Sequence, residues 1–218
     1  MIGLDKGSFI ISTGDIDVYA KLLLQENTNF RKDVTIIIQP YLHIDNYYKI
    51  LLEKLDIKEN FETVNEFAKN NPELTGQNFW DRLYISRINL IMDYFKNSSF
   101  YFDTGLQHFL FEEYKDSLYL EGIVYKYSAE DYNNLAVMQN NFEKRYLLDY
   151  IKVNFENADK YSEQIHTTGS YLTFLTELYN SYKLSGDLNN QKKVEELLMI
   201  VGENIGMKDE LIEYLNKN

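Results

Sequence analysis

The sequence contains no cysteine, which excludes disulfides, thiolate nucleophiles and zinc–thiolate sites. It has only two prolines, and no apolar run approaches the roughly 18 residues that a membrane-spanning helix needs. The basic and apolar segments of a signal peptide are missing from its start, which predicts either a cytoplasmic protein or a piece of a longer one that begins at Met1. We therefore expect no cysteine chemistry and no membrane span within these residues.

Positive charge is also scarce. The chain carries 22 Lys and Arg against 34 Asp and Glu, a net charge of -12 at pH 7. Because such a surface repels a phosphate backbone, and because the basic residues are scattered among acids, we expect no nucleic-acid partner. The histidines His43, His108 and His166 share no ligand spacing. A histidine metal site is therefore not predicted, and no cofactor is expected.

The first half of the chain has the pattern of an α/β fold. An apolar strand at residues 9–11 meets a tight turn at Thr13, Gly14 and Asp15, and an amphipathic helix follows. A continuous β-branched run at residues 33–39 is typical of an interior parallel strand buried on both faces. Further strands are predicted at residues 99–103 and 118–127. We expect a small Rossmann-like sheet of about four strands with flanking helices.

The second half is predicted to be helical, because no convincing strand follows Ser128, and its first helix is predicted over residues 130–154. We divide the chain into an α/β domain at residues 1–128 and a helical extension at residues 129–218. Residues 168–184 and 191–201 resemble one tetratricopeptide-like hairpin, which is too little for a repeat array. Gly186 and Gly206 are expected to end helices.

Three expectations concern individual side chains. The first helix should turn Val18, Leu22 and Leu23 toward the core. Glu121 is either a buried acid that could act as a general acid or, as we favour, the polar face of an alternating strand. Gly122, in the same run, should mark a bulge or a close backbone contact.

Asp15 and Asp17 are the candidate ligand or metal residues. They follow the first strand, at the carboxyl edge where open α/β sheets bind their ligands. Two carboxylates in one loop can share a divalent cation. Alternatively, Asp15 satisfies free N–H groups at the helix start while Asp17 favours the positive end of the helix. We favour capping, with Gly14 as the structural glycine of the turn.

Other catalytic patterns are missing. The turn has one glycine and no G-x-G-x-x-G or P-loop sequence, so nucleotide binding is not expected. No serine lies in a G-x-S-x-G elbow. Residue chemistry therefore predicts no catalytic residues.

Residues 13–18 keep the glycine and both acids of the pattern Asn-Gly-Asp-Asn-Asp-Thr, but lose both asparagines and the threonine. Residues 31–34 keep three positions of the pattern Arg-Pro-Asp-Val. Residues 120–126 are similar to Leu-Glu-Gly-Leu-Val-Tyr-Arg over almost their whole length. Together these stretches resemble one family: the soluble C-terminal region of bacterial multi-pass membrane proteins related to the vertebrate transmembrane protein O-mannosyltransferases.

The resemblance implies a domain on the extracytoplasmic, periplasmic face of the inner membrane, with sugar transfer performed by a membrane part outside these residues. The first hypothesis is thus a non-catalytic accessory domain that recognises an acceptor protein or supports the membrane part. The second is a metal-dependent enzyme using Asp15 and Asp17. The third is a stand-alone, cytoplasmic protein-interaction module. The first and third both expect a protein as the partner.

Overall fold

The computed structural model describes residues 1–58, 61–148, 152–153 and 164–217; the side chains of residues 15–17 and 164–168 lie outside that description. Strands and helices alternate in the first part of the chain: β1 (Phe9–Ser12), α1 (Asp15–Thr28), β2 (Thr35–Ile38), α2 (Asp45–Lys54), α3 (Val64–Asn70), α4 (Gly76–Tyr94), β3 (Phe100–Asp103), α5 (His108–Tyr114), β4 (Leu118–Leu120) and β5 (Val124–Tyr127). The elements that follow are α6 (Asn134–Lys144), α7 (Gln164–Ser185), α8 (Leu188–Ile205) and α9 (Lys208–Lys217).

The strands form one mixed five-stranded sheet in the order β2-β1-β3-β5-β4. β1 lies between β2 and β3 and is parallel to both, with Phe9 opposite Thr35 on one side and Phe100 on the other. All four residues of β1 are buried. The α/β class is confirmed, as is the parallel pairing of the two strands that α1 connects.

The position of β2 corrects one prediction. β2 lies at the edge of the sheet rather than in its interior, and only Ile37 among its four residues is fully buried. A β-branched run indicates a strand whose side chains are covered, but it carries no information about the neighbour on either side. The run therefore predicted the strand correctly, but both its interior position and the full burial of its two faces are wrong.

A second correction concerns α1. Val18 is buried and Leu22 is half-buried, but Leu23 is 59% exposed. At 100° per residue Leu23 lies far around the helix from Val18, whereas Lys21 and Gln25 share the inward side. The sequence obscured this difference because residues 22–24 are all leucine, and only Leu22 of the three lies on the side of the helix that faces the core.

The predicted fourth strand is two strands. β4 and β5 form a hairpin, in which the Glu121 amide donates to the Val124 carbonyl at 2.9 Å. Gly122 lies between them with φ +125°, a conformation that side chains rarely adopt. The sheet thus has five strands instead of about four.

The first described helix after β5 begins later than predicted. We expected a helix from residue 130, but α6 begins at Asn134 because the Asn133 side chain caps it, accepting from the Ala136 amide at 3.1 Å. α6 ends at Lys144 and residues 145–147 are not helical, so the prediction of one helix over residues 130–154 is wrong. Tyr150 and Asn154 lie outside the described residues.

By its internal contacts the chain divides into two compact units. The first contains Met1, Gly3–Leu118 and Lys126–Ala129, and the second contains Ile2, Tyr119–Tyr125 and Glu130–Asn218. We call them the α/β unit and the helical unit. The boundary predicted at residue 128 stays a prediction, and the hairpin tip between β4 and β5 groups with the helices.

The helical unit has an apolar core of its own. It is built by α7 and α8, with contributions from α6 and α9: Phe142, Phe174, Leu178, Tyr182, Val194, Leu198, Val201 and Leu211. Gly186, between α7 and α8, and Gly206, at the end of α8, both have positive φ. The two predicted helix stops are therefore confirmed.

Candidate functional site

The candidate site lies at the carboxyl edge of the parallel strands. From β1 the chain passes through α1 to β2 on one side, and β3 then lies on the other side of β1. Open α/β sheets bind their ligands where the connections diverge in this way. Here that position is between Ser12, which ends β1, and Asp103, which ends β3.

Ser12, Lys21 and Asp103 form a compact polar cluster at this point. The Lys21 ammonium on α1 lies 2.9 Å from Asp103 Oδ2 and 2.9 Å from Ser12 Oγ. The Ser12 hydroxyl in turn donates to Asp103 Oδ2. The side chains of Lys21 and Asp103 are only 14% and 8% exposed. Each of the three polar groups is thus bonded to the other two.

Two further contacts connect the loops above the strand ends. The Thr13 hydroxyl, one residue past β1, donates to the Gly105 carbonyl, two residues past β3, at 2.9 Å. Gln39, directly after β2, donates from Nε2 to Gln107 Oε1 at 3.3 Å. The second contact spans β1, because β2 and β3 lie on its two sides.

Chemically, this arrangement fits a closed structural cluster better than a reactive one. A serine nucleophile must reach its substrate, whereas Ser12 is fully buried and its hydroxyl is already donated to Asp103. The Lys21 side chain is likewise engaged, since its Nζ bonds both Asp103 Oδ2 and Ser12 Oγ. Gln39 Oε1 is buried without a hydrogen-bond partner, so one acceptor at this edge stays unsatisfied.

The predicted ligand residues Asp15 and Asp17 lie beside this cluster in the sequence. They are the first and third residues of α1, and Gly14 occupies the N-cap position. The backbone of Gly14 is extended, with φ -98°, which any residue adopts. Since the two acidic side chains lie outside the described part, both the capping and the metal interpretations stay hypotheses. Among the side chains that are described, no group of three or more acids and histidines could hold a metal ion.

The chain matches no protein-family model, no curated protein and no solved structure.

Glu121 and Gly122 belong to the helical unit, where their surroundings correct another prediction. Glu121 is only 3% exposed instead of lying on the polar face of a strand, and its Oε1 accepts from the Tyr132 hydroxyl at 2.7 Å. The side-chain Nδ2 of Asn141, on α6, donates to the Glu121 backbone carbonyl at 2.8 Å. These partners follow Glu121 by 11 and 20 residues, so the alternation of the strand could not reveal them.

Gly122 has the close contact that was predicted for it. A Cβ at this position would lie 2.2 Å from the Tyr146 hydroxyl oxygen. Together with its positive φ, this proximity leaves room for no side chain. The hairpin tip is therefore packed against α6 and the residues just after it.

The helical unit also contains a groove of about 900 Å³ between the end of α6 and the start of α8. Its apolar lining includes Phe142, Tyr146 and Leu147, and its polar lining includes Asn189 and Lys193. Leu147 is 71% exposed. Apolar and polar side chains therefore line this groove together.

Sequence reasoning missed the Lys21–Asp103 pair and also the pair of Arg31 and Asp33, in which Arg31 Nε donates to Asp33 Oδ1 at 2.9 Å. Lys21 lies three residues after Val18, so its place on the inward side of α1 was a detectable signal. Asp103 ends an otherwise apolar strand, and that position was a weaker signal of a buried polar contact. Their pairing joins residues 82 apart, and only the sheet order brings them together.

Proposed function

We propose that this chain is a non-catalytic extracytoplasmic domain of a membrane protein related to the protein O-glycosyltransferases. Its role would be to support the membrane part or to recognise the acceptor polypeptide. The proposal joins the family resemblance to one structural observation, the closed cluster of Ser12, Lys21 and Asp103. At the edge where an enzyme of this topology exposes its reactive groups, these side chains are bonded to one another.

Fold details add to the proposal. We infer that the α/β unit is Rossmann-like, because β1, α1 and β2 form a parallel crossover at the start of the chain. We infer likewise that α7 and α8 form a tetratricopeptide-like hairpin, since the two helices are antiparallel neighbours joined by a turn at Gly186 and share one core. Such hairpins commonly offer a surface for a polypeptide.

The first experiment asks where the native protein is. An antibody raised against this chain should detect the native product in the membrane fraction, and protease added to spheroplasts should degrade the detected epitope. No helix among the described residues is long and apolar enough to cross a membrane. Recovery of the product in the cytosol, protected from protease, would contradict the proposal and favour a stand-alone interaction module.

The second experiment asks whether the chain itself catalyses transfer. The purified chain, incubated with lipid-linked mannose and an acceptor polypeptide, should form no glycosylated product. If the chain serves to recognise the acceptor, the acceptor polypeptide should nevertheless bind to it. Leu147→Asp should weaken that binding because it places a charge in the apolar groove. Sugar transfer by the purified chain would refute the non-catalytic role.

The metal-dependent alternative rests on the position of Asp15 and Asp17 at the start of α1. Titration calorimetry with Mg²⁺, Mn²⁺ and Ca²⁺ tests it directly. Heat of binding that disappears in both Asp15→Ala and Asp17→Ala would favour this alternative. Under the main proposal no metal-dependent heat is expected, and Asp15→Ala should only lower helix stability, by up to about 1 kcal/mol.

A further inference from the structure

Met1 and residues 3–7, all in the α/β unit, lie at the amino ends of the parallel strands, at the opposite edge from the polar cluster. Leu4 is 5% exposed and anchors this segment in the α/β unit. The Gly7 amide donates to Asp33 Oδ2 at 3.0 Å, just before β2. The Asp5 carboxylate accepts from the Ser99 hydroxyl at 2.7 Å, just before β3. The segment, which we call the strap, therefore touches residues that precede both neighbours of β1.

Arg31 holds the strap through its whole guanidinium group. Nη1 donates to the carbonyls of Met1 and Leu4 at 2.8 and 2.9 Å, and Nη2 donates to the Asp5 carbonyl at 2.7 Å. Nε and Nη2 also donate to the two Asp33 oxygens, at 2.9 and 3.0 Å. These bonds use all five N–H groups that a guanidinium possesses.

The backbone of Arg31 adopts a conformation that non-glycine residues disfavour. Its φ is +50°, in the left-handed region that disfavours any side chain with a Cβ. Glycine would adopt that conformation freely, yet an arginine stands there. An unfavourable backbone persists where the surrounding contacts determine it. Here those contacts are the five bonds of the side chain and the two that the Arg31 carbonyl accepts, from Gln25 Nε2 at 2.8 Å and from the Val34 amide at 3.0 Å.

We propose that Arg31 is a latch that fixes the strap to the amino edge of the sheet and so sets the direction in which the chain enters the α/β unit. Asp33 orients the guanidinium and accepts the Gly7 amide, and Asp5 adds a second attachment through Ser99 and Lys126, whose ammonium lies 2.8 Å from Asp5 Oδ2. Releasing the latch should free the strap while leaving the sheet folded. The inference does not depend on the proposed function.

The test compares Arg31→Gly with Asn29→Gly by hydrogen exchange of the full chain. Asn29 also has a positive φ, of 55°, so both substitutions relieve the same backbone strain. In Arg31→Gly the amides of Leu4, Asp5 and Gly7 should exchange roughly tenfold faster or more, while those of Phe9–Ser12 keep their protection. In Asn29→Gly the strap should exchange as in the native chain.

Two outcomes would overturn the latch. Unchanged exchange of the strap in Arg31→Gly would show that the guanidinium bonds do not hold it. An equal acceleration in the strap and in β1 would show that Arg31 only stabilises the unit as a whole. If Arg31→Gly does not fold, Arg31→Lys replaces it, because an ammonium has three N–H groups and cannot serve five acceptors. A strap protected as in the native chain in Arg31→Lys would likewise contradict the latch.

A spin label provides a second readout. The chain has no cysteine, so Lys6→Cys creates a single labelling site on an exposed residue of the strap. The nitroxide spectrum should be that of an immobilised backbone when Arg31 is present and should become mobile with Arg31→Gly. A fully mobile spectrum with Arg31 intact would overturn the proposal.

Discussion

Arg87 is a buried cation whose bonds join separate segments of the α/β unit. Its guanidinium donates to the Leu42 carbonyl, to Asp45 Oδ1 at 2.6 Å and to the Glu62 carbonyl at 3.0 Å. It also lies 4.5 Å from the centre of the Tyr48 ring. α4, which carries Arg87, is thereby attached to the start of α2 and to the residues before α3.

We expect Arg87→Met to lower the free energy of unfolding by about 2–4 kcal/mol, because buried acceptors lose a charged donor that a thioether cannot replace. Arg82→Met is the matched control on the same helix. Arg82 is 52% exposed and pairs with Glu113 at 3.2 Å, so its loss should change the free energy by no more than about 0.5 kcal/mol. Urea unfolding measures both, and equal effects would contradict the role given to Arg87.

Gly122 provides a second test at the scale of a residue. Gly122→Ala places a methyl group against the Tyr146 hydroxyl and forces alanine into φ +125°, so a loss of about 2–4 kcal/mol is expected. Gly169→Ala, within α7 and with open space around its Cβ, should instead stabilise the chain by up to about 1 kcal/mol.

Combining Gly122→Ala with Tyr146→Phe separates the two causes. Removing the hydroxyl oxygen relieves the closest contact, while the ring carbons at 3.0 Å and the backbone strain remain, so the double variant should recover part of the loss. Full additivity of the two substitutions in urea unfolding would show that the contact with Tyr146 is unimportant.

At the scale of elements, β2 needs protection because it is an edge strand. In a parallel pair of strands, only every second residue points its amide toward the neighbouring strand. The Thr35 amide points toward β1, where it donates to the Ser8 carbonyl. The amide of Ile38, three residues later, therefore points away from β1. The Ile38 amide donates to the Tyr47 hydroxyl of α2 at 3.0 Å. Covering an exposed edge in this way discourages pairing with another chain.

Tyr47→Phe should therefore expose the Ile38 amide and lower the free energy of unfolding by about 1 kcal/mol. Hydrogen exchange at Ile38 should accelerate while exchange at Ile37, which faces β1, stays slow. Tyr94→Phe is the control, since that exposed hydroxyl donates only to the Asp56 carbonyl at 3.2 Å. Unchanged exchange at Ile38 would mean that another group protects this edge.

The strands show which features of the fold the sequence predicts and which it does not. The apolar runs of β1 and β2 predicted a parallel unit correctly, because hydrophobic patterns report which side chains are covered. They could not place β2 at the edge, since strand order depends on connections that leave no local pattern. The same limit hid the burial of Glu121 and the pairing of Lys21 with Asp103, whose partners are distant in the chain.

At the scale of the whole molecule, the strap should respond to acid before the sheet does. Hydrogen bonds from Arg31 and from the Gly7 amide hold the pKa of the Asp33 carboxyl far below its usual range. Burial would raise the pKa of Asp5, but the hydrogen bonds from Lys126 and Ser99 outweigh it, so this pKa is also lowered. A carboxylate with a lowered pKa stabilises the fold above its unfolded value, about 4, and the contribution is lost as the pH falls below it.

The spin-labelled Lys6→Cys chain should accordingly become mobile between about pH 4 and pH 2, while far-ultraviolet circular dichroism still reports a folded chain. Asp33→Asn should be mobile already at pH 7, because an amide cannot accept the two charged bonds of Arg31 equally well. Mobility that appears only together with global unfolding would show that the strap has no acid response of its own.

The closed cluster permits a test that separates structure from catalysis in the whole protein. Asp103→Leu alone removes the carboxylate that pairs with the buried Lys21 ammonium and should cost about 3–5 kcal/mol. Replacing all three groups, with Ser12→Ala, Lys21→Met and Asp103→Leu, removes the polar atoms together, so stability should return to within about 1 kcal/mol of the native chain. Under the proposed function, the native protein carrying this triple change should still support glycosylation in cells. A triple variant that is stable but inactive would instead assign chemistry to the cluster, since only a reactive role requires these particular atoms.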